Sequence, residues 1–174
     1  MAAGLNDISK GSIVLDGTHV EGADPERAVV FQSPNLFPWL SAKENVAIGV
    51  DKVYPRASQA ERQDVVEYYL ERVGLGDAMD KRASDMSNGM QQRVGIARAV
   101  VNKPPLLLAD EPTGNLDPEL SAEIMSLFEQ FNQVGVSVLI ASHDLGLIAR
   151  LPHRVMSLKE GQMIHDELQA GGQS

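Results

Sequence analysis

Leu106-Leu107-Leu108-Ala109-Asp110-Glu111-Pro112 is the stretch that decides the fold, because four apolar residues run directly into two carboxylates. An unbroken apolar run between two prolines predicts a strand buried on both faces. Open α/β sheets bind ligands beyond the C-terminal ends of their strands, which is where Asp110 and Glu111 fall. One carboxylate there can hold Mg²⁺, and the next can activate a water for attack on a phosphate. The alternative is a strand that ends in a solvated acidic turn.

A second apolar run, residues 136–141, predicts another buried strand, and His143 follows it closely. Between the two strands, Asp117 is a predicted N-cap of an amphipathic helix. Strand, helix and strand together form a βαβ unit, so the two strands should be parallel and end at one sheet edge. We therefore expect His143 to lie beside Asp110 and Glu111 as a candidate phosphate contact.

Shorter strands are predicted on either side of this unit. Ser12–Gly17 predicts a strand with an Asp-Gly turn, and Ala28–Gln32 predicts a strand that ends in the amide of Gln32. From the residues alone, Gln32 is either a strand cap or a ligand contact, and the cap is favoured. Residues 154–158 and 162–165 predict a terminal hairpin. Ala2–Leu5 resembles the end of a helix at Gly4.

The segment Ser33–Leu40 is a loop by its prolines, yet it is unusually apolar. Leu36, Phe37 and Trp39 either fold over the local core or form a surface that binds a partner, since exposed aromatic residues mark interfaces. Directly after this loop, Ser41 and Glu44 match the capping box that begins a helix.

Two further helices are predicted. Ser58 to Val73 has the spacing of an amphipathic helix that stops at Gly74. Ser87-Asn88-Gly89-Met90-Gln91 opens another helix through a small polar turn, and such an N-terminus can bind phosphate. The simpler interpretation is that Ser87 is an ordinary N-cap.

Composition excludes several classes of function. The chain has 174 residues, a net charge of −9 and no cysteine. The negative charge argues against nucleic-acid binding, and the absence of cysteine excludes disulfides and thiolate chemistry. No segment is apolar over the roughly 18 residues of a membrane span, and the N-terminus lacks a signal-peptide pattern. We therefore expect a cytoplasmic protein that reaches a membrane only through a partner.

Taken in order, these segments resemble the nucleotide-binding domain of ABC transporters. Val30-Phe31-Gln32 resembles the Q-loop, residues 86–91 the LSGGQ signature, residues 106–111 Walker B, Asn115-Leu116-Asp117 the D-loop and Ser142-His143-Asp144 the H-switch. The resemblance implies an α/β, P-loop NTPase-like parallel sheet with an inserted helical subdomain. Residues 1–32 and 102–168 would form the sheet core, and residues from about 33 to 101 the Q-loop and helical subdomain.

The resemblance also implies ATP and Mg²⁺ as cofactors. Asp110 would hold Mg²⁺ through water, Glu111 would be the general base, and His143 would contact the γ-phosphate. Gln32 would reach both Mg²⁺ and the attacking water.

Partners follow from the same resemblance. A homo- or heterodimer of such domains would close around ATP, with the signature of one subunit facing the nucleotide of the other. The residues expected at that interface are Ser87, Asn88, Gly89, Gln91 and Asp117. The Gln32–Leu40 loop would dock a transmembrane permease subunit, which places the chain on the inner face of the cell membrane.

One element of the family pattern is absent from the sequence. No Gly-Lys-Ser or Gly-Lys-Thr of a Walker A P-loop occurs in the chain. The P-loop backbone and lysine contribute most of the binding of β- and γ-phosphates. We therefore expect an N-terminally truncated domain that binds ATP weakly, and whose uncovered sheet edges favour self-association or a rearranged sheet.

The sequence also resembles two subfamilies. Asn88 in place of the second signature glycine, together with the Phe37-Pro38-Trp39 loop, resembles nitrate- or bicarbonate-type importers. From Asn102 onward, the Walker B and D-loop segments resemble cell-division and lipoprotein-release ATPases. The chain is therefore either a recombinant of the two subfamilies or a member of a single subfamily with mixed features.

Two alternatives to an ATPase subunit remain open at this stage. One is a non-catalytic interaction module that keeps the docking loop, and the other is a DNA-repair-type P-loop protein. The acidic charge and the Trp39 loop weigh against the second.

Overall fold

A computed structural model of the chain describes residues 3–5, 7–24 and 26–168. The fold has two compact units, Met1–Ala141 and Ser142–Ser174. Part of the predicted helix end at Gly4 lies outside the described residues, because Ala2 is not among them.

The first unit opens with a small hairpin of β1 (Val14–Leu15) and β2 (Thr18–His19). The connecting residues Asp16 and Gly17 both have positive φ, 47° and 80°. Two consecutive left-handed residues form the turn whose twist matches paired antiparallel strands. The predicted Asp-Gly turn is therefore confirmed.

The main sheet has three parallel strands in the order β3-β4-β5, with β4 in the middle. The strands are β3 (Arg27–Val30), β4 (Leu106–Asp110) and β5 (Ser137–Ala141). Leu107, Leu108 and Ala109 of β4 are all buried, as the unbroken apolar run predicts. The predicted parallel βαβ unit is confirmed.

The prediction of a fully buried β5 is wrong. None of its residues is buried, and 43% of the Leu139 surface remains exposed. β5 is the last strand in the sheet order and has a paired neighbour on one side only. An apolar run indicates a buried strand, but it does not show whether other elements pack on one face of the strand or on both.

Among the residues that the structure describes, four helices complete the first unit. They are α1 (Ala42–Val53), α2 (Gln59–Arg72), α3 (Asn88–Val100) and α4 (Pro118–Gln133), with 3₁₀ turns at Gly76–Ala78 and Ala83–Asp85. α1 packs against both α2 and α3, while α3 contacts β3 and α4 contacts β5. α3 therefore touches both the other helices and the sheet.

Side-chain caps fix where these helices begin. Ser41 N donates to Glu44 Oε2 over 2.7 Å, and Glu44 N donates back to Ser41 Oγ over 3.3 Å, which is the predicted capping box. Asp117 Oδ1 accepts from the backbone N–H groups of Glu119 and Leu120, each over 3.0 Å. Since these side chains satisfy amides that the helix leaves unpaired, the local sequence sets the helix starts.

The second unit contains a short helix, α5 (Leu145–Ile148), and a hairpin of β6 (Arg154–Lys159) and β7 (Gln162–Leu168). Arg154 binds Asp166 across the hairpin through two hydrogen bonds of 2.7 and 2.6 Å. The predicted terminal hairpin is confirmed. Across the described residues of both units, no helix combines the length and apolar character that crossing a membrane requires.

The Ser41–Glu44 cap predicts a pH dependence of stability. The backbone hydrogen bond from Ser41 lowers the pKa of Glu44 below its ordinary value of 4.5. A lowered pKa in the folded state means that the contribution is present above pH 4.5 and is lost as the pH falls further. We expect Glu44→Gln to lower the urea midpoint at pH 7, and this deficit to shrink at pH 3.

Circular dichroism at 222 nm measures both midpoints. The matched control is Glu71→Gln, which removes an exposed carboxylate outside any cap. A deficit of equal size at pH 7 and pH 3 would contradict the expectation.

Candidate functional site

Three candidate residues lie at one edge of the main sheet. The parallel register pairs Val30 with Ala109, and Asp110 with Ala141, so the strands end side by side. Gln32 follows β3 by two residues, Asp110 is the exposed last residue of β4, and Glu111 comes next. The structure thus brings Gln32, Asp110 and Glu111 to the C-terminal edge, where such sheets bind ligands.

Glu111 sits in a sharp turn of the backbone. Its φ is 46°, its N–H donates to the carbonyl of Ala141 over 2.9 Å, and its carbonyl accepts from Gly114 N over 3.0 Å. Left-handed backbone geometry costs a residue with a Cβ roughly 1–2 kcal/mol. The two hydrogen bonds hold the turn in this geometry, and backbone strain of this kind clusters at functional sites.

Gln32 reaches toward the loop that follows β4. Its Nε2 lies 3.5 Å from Asn115 Oδ1, which is the long limit of a hydrogen bond. A methyl group at Gly114 would come within 2.7 Å of that same Nε2. Gln32 therefore occupies space that only a glycine at position 114 leaves open.

The expected signature residues lie at the start of α3. Ser87 Oγ accepts from Met90 N over 3.3 Å, so Ser87 is the N-cap, and both Ser87 and Asn88 are exposed. Gly89 is buried, and a Cβ there would lie 3.1 Å from a methyl group of Leu120 in the first turn of α4. The start of α3 therefore packs against the helix that Asp117 caps.

A polar cleft of about 470 Å³ lies between Gln32 and the first turn of α3. Gln32 and Asn115 line one side, while Asn88 and Gln91 from the first turn of α3 line another. Gln91 Nε2 also donates to the carbonyl of Met86 over 3.1 Å. Amide groups both donate and accept, so the cleft offers hydrogen bonds without a net charge.

His143 lies in the second unit, next to the start of α5. Its neighbour Asp144 caps that helix, since Asp144 Oδ1 accepts from Leu147 N over 3.0 Å. Ser142 Oγ accepts from Asp144 N over 3.2 Å. The expected placement of His143 beside Asp110 and Glu111 stays a prediction.

The donor set at the sheet edge fits Mg²⁺ only as a partial site. The Asp110 carboxylate and the Gln32 amide oxygen are hard oxygen donors, which Mg²⁺ prefers. Within the ranges that the structure describes, no group of three or more His, Cys, Asp or Glu side chains forms a metal cage. A partial set is what nucleotide sites use, because phosphates and water complete the Mg²⁺ coordination.

The apolar loop after Gln32 exposes its aromatic side chains to solvent. Trp39 is 65% exposed and Phe37 is 41% exposed, with ring centroids 5.5 Å apart. Asn45, which is fully buried, accepts from Phe37 N over 2.9 Å and donates to the carbonyls of Phe37, Leu40 and Ser41. For Phe37 and Trp39, the interpretation that this loop folds over the local core is therefore wrong.

Sequence reasoning missed three residues that organise these loops. Asn45, Gln92 and Arg98 all donate from helices to loop carbonyls. A signal for Asn45 and Gln92 was present, because each interrupts the apolar stripe of its helix. A buried amide needs a partner, and an irregular loop is the usual source of one.

Comparison with known proteins agrees with the geometry. The chain is 41% identical over 165 residues to the bicarbonate transport ATP-binding protein CmpC of Synechocystis, covering 92% of this chain and 24% of that protein. It is 47% identical over 135 residues to the cell division ATP-binding protein FtsE of Escherichia coli, covering 78% of this chain and 60% of that protein. The expected resemblance to both groups is confirmed.

Solved structures and a family model identify the fold. The ATP-binding cassette MJ0796, solved as a dimer bound to ADP and Pi, matches with a TM-score of 0.81 and 30% identity. The match covers 98% of this chain and 78% of that one, and confirms the predicted ABC ATPase fold with its parallel sheet. The family model described as ABC transporter matches residues 1–114. The chain therefore belongs to the ABC transporter family.

Proposed function

We propose that the chain is the ATP-binding and ATP-hydrolysing part of an ABC transporter, and that it energises transport through a membrane permease. ABC ATPases bind ATP with Mg²⁺, dimerise and work with membrane permeases. The single observation that carries the proposal is the shared sheet edge, at which Gln32, Asp110 and Glu111 follow neighbouring parallel strands.

Each residue at that edge has a separate proposed role in hydrolysis. Asp110 would hold Mg²⁺ through water, and the Gln32 amide would contact the cation and the attacking water. Glu111, which lies in a left-handed turn, would accept the proton of that water as general base. Mg²⁺ supplies charge neutralisation on the phosphates when it is bound. The role of His143 at the γ-phosphate stays a prediction from the motif.

A second copy of such a domain completes the site. Ser87, Asn88, Gly89 and Gln91 open α3, whose first N–H groups form an anion-binding end. In the proposed dimer they contact the γ-phosphate held by the other subunit, and Asp117 lies at the interface. The packing of Gly89 on Leu120 supports this, because it fixes the start of α3 relative to the helix that Asp117 caps.

The 174 residues contain the acids but no P-loop lysine. We infer that this chain by itself binds Mg·ATP weakly and does not turn it over. The support is chemical, since carboxylates and amides do not neutralise the phosphate charges that a lysine and a glycine-rich backbone nest would.

A non-catalytic interaction module is the second candidate. The observation that favours it is the exposed Phe37–Trp39 pair on a loop fixed by Asn45. A fixed aromatic surface binds a partner with little loss of entropy. Under either candidate, the loop from Gln32 to Leu40 docks a permease on the inner face of the membrane.

Nucleotide binding and ATPase activity separate the two candidates. We expect calorimetry with the 174-residue chain to show no micromolar affinity for Mg·ATP. A separately supplied segment that carries a P-loop should make ATPase activity appear. Glu111→Gln should then reduce the rate by about 10²- to 10⁴-fold, because general base catalysis is lost.

The matched control is Glu119→Gln, an exposed carboxylate in the first turn of α4. It should leave the rate unchanged. If no activity appears in the presence of the P-loop segment, the interaction module becomes the better account.

The space over Gly114 can be tested by substitution. We expect Gly114→Ala to displace the Gln32 amide, because the new methyl group would meet Nε2 at 2.7 Å. The NMR signals of the Gln32 side-chain NH₂ group should shift, while the melting temperature changes little, since the end of a flexible side chain gives way. Gly22→Ala is the control, because a Cβ there meets nothing within 4 Å. Unmoved Gln32 signals in the Gly114 variant would refute the idea.

The docking loop can be tested through Asn45. Asn45→Ala removes the acceptor of Phe37 N, whereas the carbonyls of Phe37, Leu40 and Ser41 keep their backbone donors. A buried group left unsatisfied costs about 1–3 kcal/mol. We expect a loss of stability of that size and a fall in the fluorescence anisotropy of Trp39, the only tryptophan in the chain.

Asn132→Ala serves as the comparison, since Asn132 donates to a loop carbonyl elsewhere, at Val136. It should leave the Trp39 anisotropy unchanged. An equal fall in both variants would mean that Asn45 does not fix the loop.

A further inference from the structure

The backbone on both sides of Gln32 is held by side chains of α3. Gln92 is 2% exposed, and its Nε2 donates to the carbonyl of Phe31 over 3.0 Å. This bond fixes the residue directly before Gln32. Because α3 also begins with the Ser87 cap, one helix carries both the signature turn and this contact.

Arg98 holds the residues after Gln32. Its Nη2 donates to the carbonyl of Pro34 over 2.8 Å and to that of Asn35 over 3.2 Å, and its Nη1 donates to Asn35 over 3.3 Å. Burial lowers the pKa of the Arg98 guanidinium. A planar fork with several fixed donors suits two adjacent carbonyls, whereas a lysine ammonium is a single point charge.

The backbone at these carbonyls is itself unusual. Asn35 has a φ of 47°, in the left-handed region that asparagine adopts more readily than most residues with a Cβ. The loop also approaches α3 closely, since a methyl group at Gly95 would lie 2.9 Å from Cβ of Pro34. The loop thus packs closely against the helix at Gly95 and is held there by Arg98.

The side chain of Gln32 is held far less firmly than its backbone. Its contact with Asn115 is 3.5 Å long, and both groups are exposed. An exposed hydrogen bond of this length contributes little. The Gln32 amide can therefore turn toward a ligand while the backbone stays in place.

We propose that Arg98 is a positioning residue that joins residues 33–36 to α3 as one rigid body, so that Gln32 and the signature turn keep a fixed geometry. This inference rests on the proposed function only for the catalytic role of Gln32. The rigid body itself can be tested without nucleotide, so its failure and the failure of the ATPase proposal are distinguishable.

The rigid body continues into the docking loop. Residues 37–40 follow directly, and Asn45 ties them to α1, which packs against α3. A partner that moves Trp39 would therefore move Gln32 and Ser87 together. Without Arg98 the loop would absorb the displacement locally.

The test measures backbone order parameters by ¹⁵N relaxation on the 174-residue chain. In the unsubstituted protein we expect values of about 0.85 at residues 33, 35 and 36, as for a rigid backbone. Arg98→Gln should lower them below about 0.6, with Arg98→Lys in between, and should shift the Gln32 side-chain NH₂ signals. Order parameters within α1 and α3 should not change.

The matched control is Arg62→Gln. Arg62 also donates to loop carbonyls, those of Ala57 and Pro55, but it lies on α2. It should leave residues 33–36 ordered. Unchanged order in Arg98→Gln, an equal loss within α1 and α3, or the same loss in the Arg62 variant would each overturn the proposal. If Arg98→Gln does not fold, the same criteria applied to Arg98→Lys decide.

Discussion

The parallel pairing of β4 with both of its neighbours is the constraint on which the rest of the structure depends. It sets Val30 beside Ala109 and Asp110 beside Ala141, so that three strands end together. Every candidate residue of the sheet edge owes its place to this register, because a shift of one residue would turn the side chains to the opposite face. The buried apolar residues of β4 hold the register, while its last residue is exposed.

The features that could be predicted from the sequence depend on contacts between residues close together in the chain. The caps at Ser41, Ser87 and Asp117 and the turn at Asp16-Gly17 involve contacts within a few residues. The strand β4 was also predictable, since its apolar run is bounded by prolines. Such features depend on propensity and spacing, both of which are written in the chain.

Long-range packing explains what the sequence could not predict. The exposure of Leu139 depends on what covers β5, and the roles of Asn45, Gln92 and Arg98 depend on which carbonyls come within reach. The space that Gly114 leaves for Gln32 depends on a contact between positions 82 residues apart in the chain. For the candidate site, the residue types were predictable, but the contacts that hold them in place were not.

The left-handed turn at Glu111 has a consequence for how this position can change. A glycine or an asparagine would adopt a φ of 46° at lower cost than glutamate does. Selection for thermal stability alone would therefore remove the carboxylate from the turn. The chain carries glutamate here against the preference of its own backbone, so under the proposed role of Glu111 as general base, stability and chemistry are opposed at this position.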